Sequence, residues 1–375
     1  MPFPITNGVA SKYMELVPLH NPKKDFESVE DKIKINIFNI IDSGLYLNSK
    51  YVYQFESMFS DYIGTKYCCG VANGTDAIQI CLAACGVTAG DEVITVANAG
   101  GYSSSAISKL GATPIYVDVD DRCLIKPEMI NLSLTDKTKA IVITHLYGQC
   151  VDVEKIKKNL PSNIKIIEDC AQSHGSEING VKAGSMGDCS AFSFYPTKNL
   201  GSNGDAGAVC TSSYEIAENV RTLRQYGWID RFISSNKNGI NSRMDELQAA
   251  CLVEKLQLLD NNNTKRRILN EIYQNSLPKL SWVGDINSSI FHLSVLRVRD
   301  REKFCQYMRE MGVSTAVHYP VPDYLQPAWY NDKIYLKNTS SCCDEVVSIP
   351  GHPSLETYQV KRIVTALRDY DRTCA

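Results

Sequence analysis

Short apolar runs alternate with helical stretches along residues 67–210 of this 375-residue chain. Each apolar run is bounded by turn residues and predicts a strand, and the runs fall at residues 66–72, 91–96, 114–119, 140–145, 164–168, 189–194 and 207–211. The residues between them predict helices at 75–85 and 103–110. Strands that alternate with helices imply a mainly parallel sheet covered on both faces. We therefore expect an α/β fold.

The pattern changes beyond the last of these strands. Residues 243–273 are rich in Leu, Ala, Glu, Lys and Arg at helical spacing, and they predict long helices that leave the first domain. A smaller α+β unit is expected after them, with a strand at 291–298 and a helix at 301–312. Because domains commonly span ~100–200 residues, two are expected. We assign the large one, with the N-terminal segment, to residues 1–255 and the small one to 256–375.

The charge and hydropathy patterns argue against a nucleic-acid-binding or membrane protein. The 39 basic and 42 acidic residues are well mixed, the net charge is −3, and no basic block marks a surface for nucleic acid. Residues 1–7 lack a basic region followed by an apolar core, and no apolar run is long enough to span a bilayer. We expect a soluble, cytoplasmic protein with no nucleic-acid or membrane partner.

The 14 cysteines are placed like core residues rather than metal ligands. Two pairs are adjacent, Cys68-Cys69 and Cys342-Cys343, and no two cysteines have the two-residue spacing that begins a zinc site. Free cysteine packs as a small hydrophobic side chain. We therefore expect buried, reduced thiols and no metal.

Three short segments carry the candidate chemistry. Asp169 follows a strand, at the edge of an open α/β sheet where ligands bind, and a carboxylate there suits a metal, a base or a cationic ring nitrogen, or serves as a turn residue. Lys198 lies in a Gly-rich turn among aromatic residues, where burial would depress the pKa of its amine and free it to attack a carbonyl. The turn Asn73-Gly74-Thr75 precedes a helix, so it forms either an anion site or a simple N-cap.

Together these segments resemble one family, the DegT/DnrJ/EryC1/StrS sugar aminotransferases, which are fold-type I pyridoxal-phosphate enzymes. The resemblance runs from about Ile41 to Tyr330 and more weakly to the C-terminus, and its most specific part is FSFYPTKNLG at 192–201. Supporting matches are HLYGQ at 145–149, NSRMDELQAA at 241–250 and HYP at 318–320. The family implies an aspartate-aminotransferase-like fold, with a mainly parallel seven-stranded sheet in the large, cofactor-binding domain and a smaller C-terminal α+β domain.

The resemblance also implies roles for single residues. Lys198 matches the lysine that holds pyridoxal 5'-phosphate as a Schiff base and then moves a proton between substrate and cofactor. Asp169 matches the carboxylate that pairs with the pyridine nitrogen and keeps the ring an electron sink. The remaining matched positions that contact the cofactor are Gly74, Thr75 and Ser193 around the phosphate, Gln172 near the ring hydroxyl and Ala171 against a ring face.

Four further positions concern the neighbouring subunit and the substrate. Asn241 matches an asparagine that reaches the phosphate from the neighbouring subunit, so the resemblance implies a homodimer with shared active sites. Tyr46, His318 and Tyr319 are expected on the sugar-binding side.

The chain departs from the family pattern at two places. The family usually has an aromatic residue, stacked on the cofactor ring, at the position that Gly100 occupies here. Either the stack is lost or Tyr102 supplies it from a shifted loop, and we favour Tyr102. The family often has a second histidine after the HYP motif, whereas this chain has Asp323-Tyr324, which changes the expected substrate contacts.

The resemblance implies a reaction in two halves. Glutamate converts the cofactor to its amine form, and a keto-sugar linked to a nucleotide then accepts the amine. Residues 192–201 and 223–228 most resemble enzymes that act on a dTDP-linked 3-keto-6-deoxyhexose, whose products enter surface polysaccharides such as O-antigen or glycosylated natural products. A 4-keto substrate, or UDP or GDP as the carrier, stays open.

Other function classes fit the sequence less well. Dehydratase relatives carry His in place of the lysine, so Lys198 favours transfer. A regulator without turnover would need a reader domain, and none is apparent. A nicotinamide enzyme would need a Gly-x-Gly-x-x-Gly turn after the first strand, which is absent.

Overall fold

The computed structural model describes residues 16–374. Residues 1–7, which lack a signal pattern, lie outside the described residues, as do the outer limits of both predicted domains at residues 1 and 375.

Seven strands form the large sheet: β1 (Tyr67–Val71), β2 (Glu92–Val96), β3 (Thr113–Val117), β4 (Thr138–Thr144), β5 (Lys165–Asp169), β6 (Cys189–Ser193) and β7 (Gly207–Thr211). Their order across the sheet is β1-β7-β6-β5-β4-β2-β3. Strand β7 is antiparallel to its neighbours β1 and β6, and every other neighbouring pair is parallel. The predicted mainly parallel, seven-stranded sheet is confirmed.

Both faces of this sheet are buried. Along β4, Ile141 and Ile143 belong to one apolar cluster, while Ala140 and Val142 belong to a second cluster on the opposite face. Successive side chains of a strand point to opposite faces, so a strand covered on both sides reads as a continuous apolar run. This is the reason that the sequence pattern located the strands.

Thirteen α-helices lie among the described residues: α1 (Pro22–Asp25), α2 (Glu30–Ser43), α3 (Lys50–Ile63), α4 (Gly74–Ala84), α5 (Tyr102–Lys109), α6 (Pro127–Leu132), α7 (Val153–Lys157), α8 (Tyr214–Leu223), α9 (Glu246–Leu256), α10 (Leu259–Ser276), α11 (Arg301–Glu310), α12 (Lys337–Glu345) and α13 (Thr357–Cys374). Helix α4 packs against β6 and β7 of the large sheet and against α5 and α8. Its first residues therefore lie directly at the edge where the strands end.

A second, antiparallel sheet consists of β8 (Ser281–Val283), β9 (Ser294–Arg297) and β10 (Val346–Ile349). Strand β9 is shorter than the predicted strand at 291–298, because Phe291 has a φ of 49° and interrupts the extended backbone. Residues 290–293 therefore leave the sheet and run toward the large domain.

The domain limits stay a prediction. Helix α9 ends at Leu256 and α10 begins at Leu259, next to the predicted boundary at residue 255. The described part of the N-terminal segment packs with the C-terminal unit, because Val17 pairs with Val313 in a parallel bridge and lies in the same apolar cluster as β9 and β10.

The cysteines from Cys68 to Cys343 are free thiols, and all of them except Cys305 are buried. No helix within residues 16–374 combines the length and the apolar character that a membrane span needs.

Glu246 anchors the start of α3. Its side chain is 1% exposed and accepts backbone N–H bonds from Ser49 (2.7 Å), Tyr51 (2.7 Å) and Val52 (3.2 Å). The first N–H groups of a helix have no partner inside it and favour a negative charge. The N–H of Glu246 also donates to the carbonyl of Tyr46 (3.0 Å), so this residue fixes the loop that carries Tyr46.

Replacement Glu246→Gln should lower the free energy of unfolding by about 1.5–3 kcal/mol, because the amide removes the charge and leaves one acceptor oxygen for three donors. Urea unfolding measures the change. The matched control is Glu254→Gln in the same helix, since that carboxylate accepts from the side chain of Asn36 (3.1 Å) at a less buried place. We expect the control to change stability by less than ~0.5 kcal/mol. Equal effects of the two substitutions would contradict the anchoring role.

Candidate active site

A cavity of about 400 Å³ opens where the large sheet meets the C-terminal unit. Residues at or just past the carboxyl ends of four parallel strands line it: Thr75 follows β1, and Thr144, Asp169 and Ser193 end β4, β5 and β6. Ligands bind at this edge in open α/β sheets.

Most of the predicted site residues come together in this cavity. They are Gly74, Thr75, Tyr102, Asp169, Ala171, Gln172, Ser193, Lys198, His318 and Tyr319. Two do not line it within the described chain. Tyr46 is 49% exposed on the loop before α3, and Asn241 is exposed and pairs with Gln225.

One end of the cavity is formed by the start of α4. The side chain of Asn73 accepts from the N–H of Asp76 (2.9 Å), which leaves the N–H groups of Gly74 and Thr75 without a partner among the described residues. A Cβ on Gly74 would lie 2.6 Å from the Cβ of Ser193, so only glycine lets Ser193 approach the helix start this closely. Free N–H groups, a helix dipole and two hydroxyls form an anion site that fits a phosphate group.

Asp169 lies deeper in the cavity, at the end of β5. Its carboxylate accepts hydrogen bonds from the N–H of Ala171 (3.1 Å) and the hydroxyl of Thr144 (3.3 Å). Burial raises the pKa of Asp169, although those donors and the charge of Lys198 oppose the shift. Such a carboxylate suits a cationic partner, and a protonated ring nitrogen is one.

Lys198 faces the same cavity from the turn after β6. Its backbone N–H donates to the carbonyl of Tyr195 (2.8 Å), which holds the turn closed. Desolvation lowers the pKa of the Lys198 amine to about 8, against the opposing effect of the Asp169 charge. Near neutral pH a usable fraction of this amine is therefore unprotonated and nucleophilic.

A fully buried carboxylate, that of Glu168, stabilises the end of β5 that carries Asp169. It accepts hydrogen bonds from Nε2 of His145 (2.9 Å) and from the N–H groups of Gly184 (2.8 Å), Met186 (2.8 Å) and Gly187 (2.7 Å). Burial alone would raise the pKa of Glu168, but these donors hold it below its usual value. The network fixes the end of β5, and with it Asp169.

His145, Glu168 and Cys170 also approach each other closely enough to suggest a metal site. The ligand atoms are already in use, however, because Nδ1 of His145 accepts the N–H of Val151 (3.0 Å) and both oxygens of Glu168 accept backbone donors. A metal ion would have to displace these bonds. We interpret the group as a structural network.

The structure gives a steric reason for the glycine at position 100. A Cβ there would lie 2.8 Å from the ring of Tyr319, which occupies the adjacent space. The rings of Tyr102 and Tyr319 meet edge to face, with centroids 6.1 Å apart. Both rings line the cavity, and Gln172 donates to the Tyr319 hydroxyl (3.2 Å). The stacking of Tyr102 on the cofactor stays a prediction.

Asp323, which follows the HYP motif, does not line the cavity. It is 1% exposed, its carboxylate accepts from the hydroxyl of Ser104 (2.5 Å), and its N–H donates to Ala97 (2.8 Å). Burial raises the pKa of Asp323 to about 7. This residue fixes the loop before α5 rather than contacting a ligand.

Sequence reasoning missed several residues that line the cavity. The most informative are His20 and His292. They come from opposite ends of the chain and show no spacing to any partner, so no sequence pattern could have joined them. Asp205, Tyr195 and Thr197, on the two sides of Lys198, also line the cavity.

A phosphate site at a helix start, a buried carboxylate and a desolvated lysine amine form one site at the strand ends. This combination defines a pyridoxal-phosphate-dependent enzyme of fold type I. When bound, the cofactor supplies a ring that accepts the electron pair left when a substrate C–H bond breaks.

The comparisons with known proteins identify the family. The model of the DegT/DnrJ/EryC1/StrS aminotransferase family matches residues 27–368, and this chain belongs to that family. A dTDP-3-amino-3,6-dideoxy-alpha-D-galactopyranose transaminase of Aneurinibacillus thermoaerophilus is 42% identical over 88% of this chain and 93% of its own length. A UDP-2-acetamido-2-deoxy-3-oxo-D-glucuronate aminotransferase of Pseudomonas aeruginosa is 35% identical over 94% of this chain and 99% of its own length.

A solved structure shows the same architecture. The crystal structure of S. venezuelae DesV in complex with a ketimine intermediate has a TM-score of 0.91 and 33% identity, and it covers 96% of this chain and 100% of that chain. The chain is therefore a sugar aminotransferase that depends on pyridoxal 5'-phosphate, as the sequence resemblance implied.

The low pKa of Lys198 should be visible when the cofactor attaches. The rate at which apoprotein forms the visible absorption band with pyridoxal 5'-phosphate should rise with pH and level off above about 8, because only the unprotonated amine reacts. Stopped-flow absorbance from pH 6 to 10 measures the midpoint, and Lys198→Ala should give no band. A rate still rising steeply above pH 9.5 would show an ordinary, solvated lysine instead.

Proposed function

We propose that this enzyme transfers the amino group of glutamate to a nucleotide-linked keto-deoxysugar, most specifically a dTDP-linked 3-keto-6-deoxyhexose. The product is an amino sugar nucleotide for glycosylation of a polysaccharide such as O-antigen, or of a natural product. The roles given above to Lys198 and Asp169, and to the phosphate-binding residues, are part of this proposal.

The observation that carries the proposal is the wall of the cavity that faces the C-terminal unit. Three imidazoles line this wall, from His20, His292 and His318. Burial lowers the pKa of His20 to about 3 and that of His318 to about 4, and it lowers that of His292 as well, so all three are neutral at physiological pH. No arginine of the described chain lines the cavity. Neutral rings that donate and accept hydrogen bonds suit the hydroxyls of a sugar.

The relatives support the position and the carrier. The names of the two relatives above both place the reacting nitrogen or oxygen at sugar carbon 3, although one substrate carries dTDP and the other UDP. The relative with the dTDP-linked deoxysugar has the higher identity, 42% against 35%. We therefore favour a 3-keto substrate on dTDP.

We also propose a homodimer with shared active sites. Asn241 is exposed and lies outside the cavity of its own chain, although its matched role is to reach a phosphate. Large apolar side chains are exposed on α2, among them Ile35 (60%) and Phe38 (64%), and on the short hairpin after α8, among them Ile229 (68%) and Phe232 (73%). Exposed apolar patches of this kind mark protein interfaces.

We place the enzyme in the cytoplasm. The free, buried thiols of the described residues fit a reducing compartment, where disulfides do not persist.

The decisive experiment follows the cofactor by visible absorption. The band of the purified protein with pyridoxal 5'-phosphate should vanish on addition of glutamate and return on addition of dTDP-3-keto-6-deoxyhexose. Lys198→Ala is the control without a band. A band that does not change on addition of glutamate would exclude this donor. A band that returns only with a 4-keto sugar would show that the amine is transferred to carbon 4 instead of carbon 3.

A mixed dimer tests the shared site. Lys198→Ala and Asn241→Ala homodimers should both lose most activity, the second by about 10–100-fold through a lost hydrogen bond to a charged group. A heterodimer of the two variants, isolated by two affinity tags, has one site with both residues intact. It should regain about half of the wild-type activity if Asn241 acts across the interface. A heterodimer no more active than Asn241→Ala would contradict the shared site.

A further inference from the structure

His292 is held rigidly at the wall of the cavity. Its side chain is 4% exposed and lines the cavity just before β9. Its carbonyl accepts a hydrogen bond from the guanidinium of Arg266 (3.2 Å). Its backbone nitrogen packs so tightly on Gly148 that a Cβ on that glycine would lie 2.5 Å away. The backbone at His292 therefore has little freedom to move.

Two buried amides connect this ring to a backbone carbonyl. Asn263 donates from Nδ2 to the carbonyl of His174 (2.8 Å), and Asn199 donates from Nδ2 to Oδ1 of Asn263 (2.8 Å). Oδ1 of Asn199 then faces Nδ1 of His292 at 3.0 Å.

This chain of bonds determines the tautomer of His292. A backbone carbonyl can only accept, so Asn263 must present its NH₂ group to it. Its oxygen must then accept from Asn199, and the oxygen of Asn199 must accept from the ring. Nδ1 of His292 therefore carries the hydrogen. In the neutral ring, the other nitrogen, Nε2, has a free lone pair.

The charges around His292 keep the ring neutral. Burial is the largest effect that lowers its pKa, followed by the positive charges of Lys198 in the turn after β6 and of Arg266 in α10. Nε2 has no hydrogen-bond partner within residues 16–374. An unpaired acceptor on a ring that lines the cavity is free for a ligand.

We propose that His292 is a substrate-binding residue whose Nε2 accepts a hydrogen bond from a hydroxyl group of the sugar. The inference rests on the proposed sugar substrate. This hydrogen bond would also make His292 selective between the two substrates. Glutamate has no hydroxyl group, so this bond is made with the amino sugar nucleotide and not with the amino-acid donor.

Two substitutions distinguish the acceptor atom Nε2 of His292 from the bond that its ring makes with Asn199. In His292→Asn, the amide NH₂ takes the place of Nδ1–H, keeps the bond to Asn199, and leaves no atom at the position of Nε2. In His292→Gln, the longer side chain returns an amide oxygen toward that position. His352→Asn is the control for burial, because His352 is 1% exposed but bonds to Ser354 and Pro18 and does not line the cavity.

The experiment uses the enzyme loaded with pyridoxal 5'-phosphate and a single spectral readout. The loss of the visible band is followed with glutamate and, separately, with a dTDP-linked 3-amino-3,6-dideoxyhexose, which drives the sugar half-reaction in reverse. His292→Asn should raise the apparent Kd for the amino sugar nucleotide by about 3–10-fold, the value of one hydrogen bond, and leave that for glutamate within about 2-fold. His292→Gln should recover part of the loss, and His352→Asn should show no selective loss. Thermal unfolding establishes that each variant is folded.

The outcomes distinguish this inference from the proposed function. Equal losses with both donors, or no loss with either, would overturn the role of His292. Failure of the wild-type enzyme to react with the amino sugar nucleotide, while glutamate still removes the band, would instead contradict the proposed substrate. If His292→Asn does not fold, Asn199→Ala carries the test, because it removes the bond that holds the ring of His292. An unchanged ratio of the two apparent Kd values in that variant overturns the inference.

Discussion

Desolvation of two opposite charges at the ends of parallel strands is the constraint on which this site depends. Burial lowers the pKa of Lys198 and raises that of Asp169, and the charge of each partly opposes the shift of the other. Removing two charges from water is costly unless they are paired or hydrogen-bonded. In the proposed function, a bound cofactor completes the interactions of both groups. The same desolvation makes the lysine amine nucleophilic, so the cost in stability and the reactivity have one origin.

The buried carboxylates that support the cavity are, in contrast, fully hydrogen-bonded. Glu168 is as deeply buried as any residue of the site, yet four donors satisfy its two oxygens. The carboxylate of Glu246 likewise accepts three backbone N–H bonds at the start of α3. Fully satisfied networks rigidify a structure, whereas unsatisfied polar groups are available for binding. The contrast separates the residues that hold the site from those that face a ligand, Gly74, Thr75 and Nε2 of His292 among them.

The sheet could be predicted from the sequence because both of its faces are buried. Strands such as β4 and β7 read as continuous apolar runs, and β7 was predicted with its observed limits, Gly207–Thr211. Most of the site followed from the sheet, since Asp169 ends β5 and Lys198 lies in the turn after β6. The rest depended on tertiary contacts that no spacing encodes. His292 reaches the cavity because the backbone turns at Phe291, with its φ of 49°, and that turn looked like the start of a strand.

The neutral wall also bears on the two-step reaction. In the proposed function, one cavity accepts in turn a sugar, whose hydroxyls suit neutral acceptors, and glutamate, whose two carboxylates need donors or positive charge. No arginine of the described chain lines the cavity, and in the proposed function the amine of Lys198 binds the cofactor, so neither is free to bind the carboxylates of glutamate. Two exposed basic residues, Arg231 and Lys237, lie in the segment between α8 and Asn241. A dimer that brings this edge to the neighbouring cavity would supply charge where the single chain has none. Two arguments therefore support the proposed homodimer. The exposed apolar side chains would be buried between the chains, and each neutral cavity would receive positive charge from the neighbouring chain.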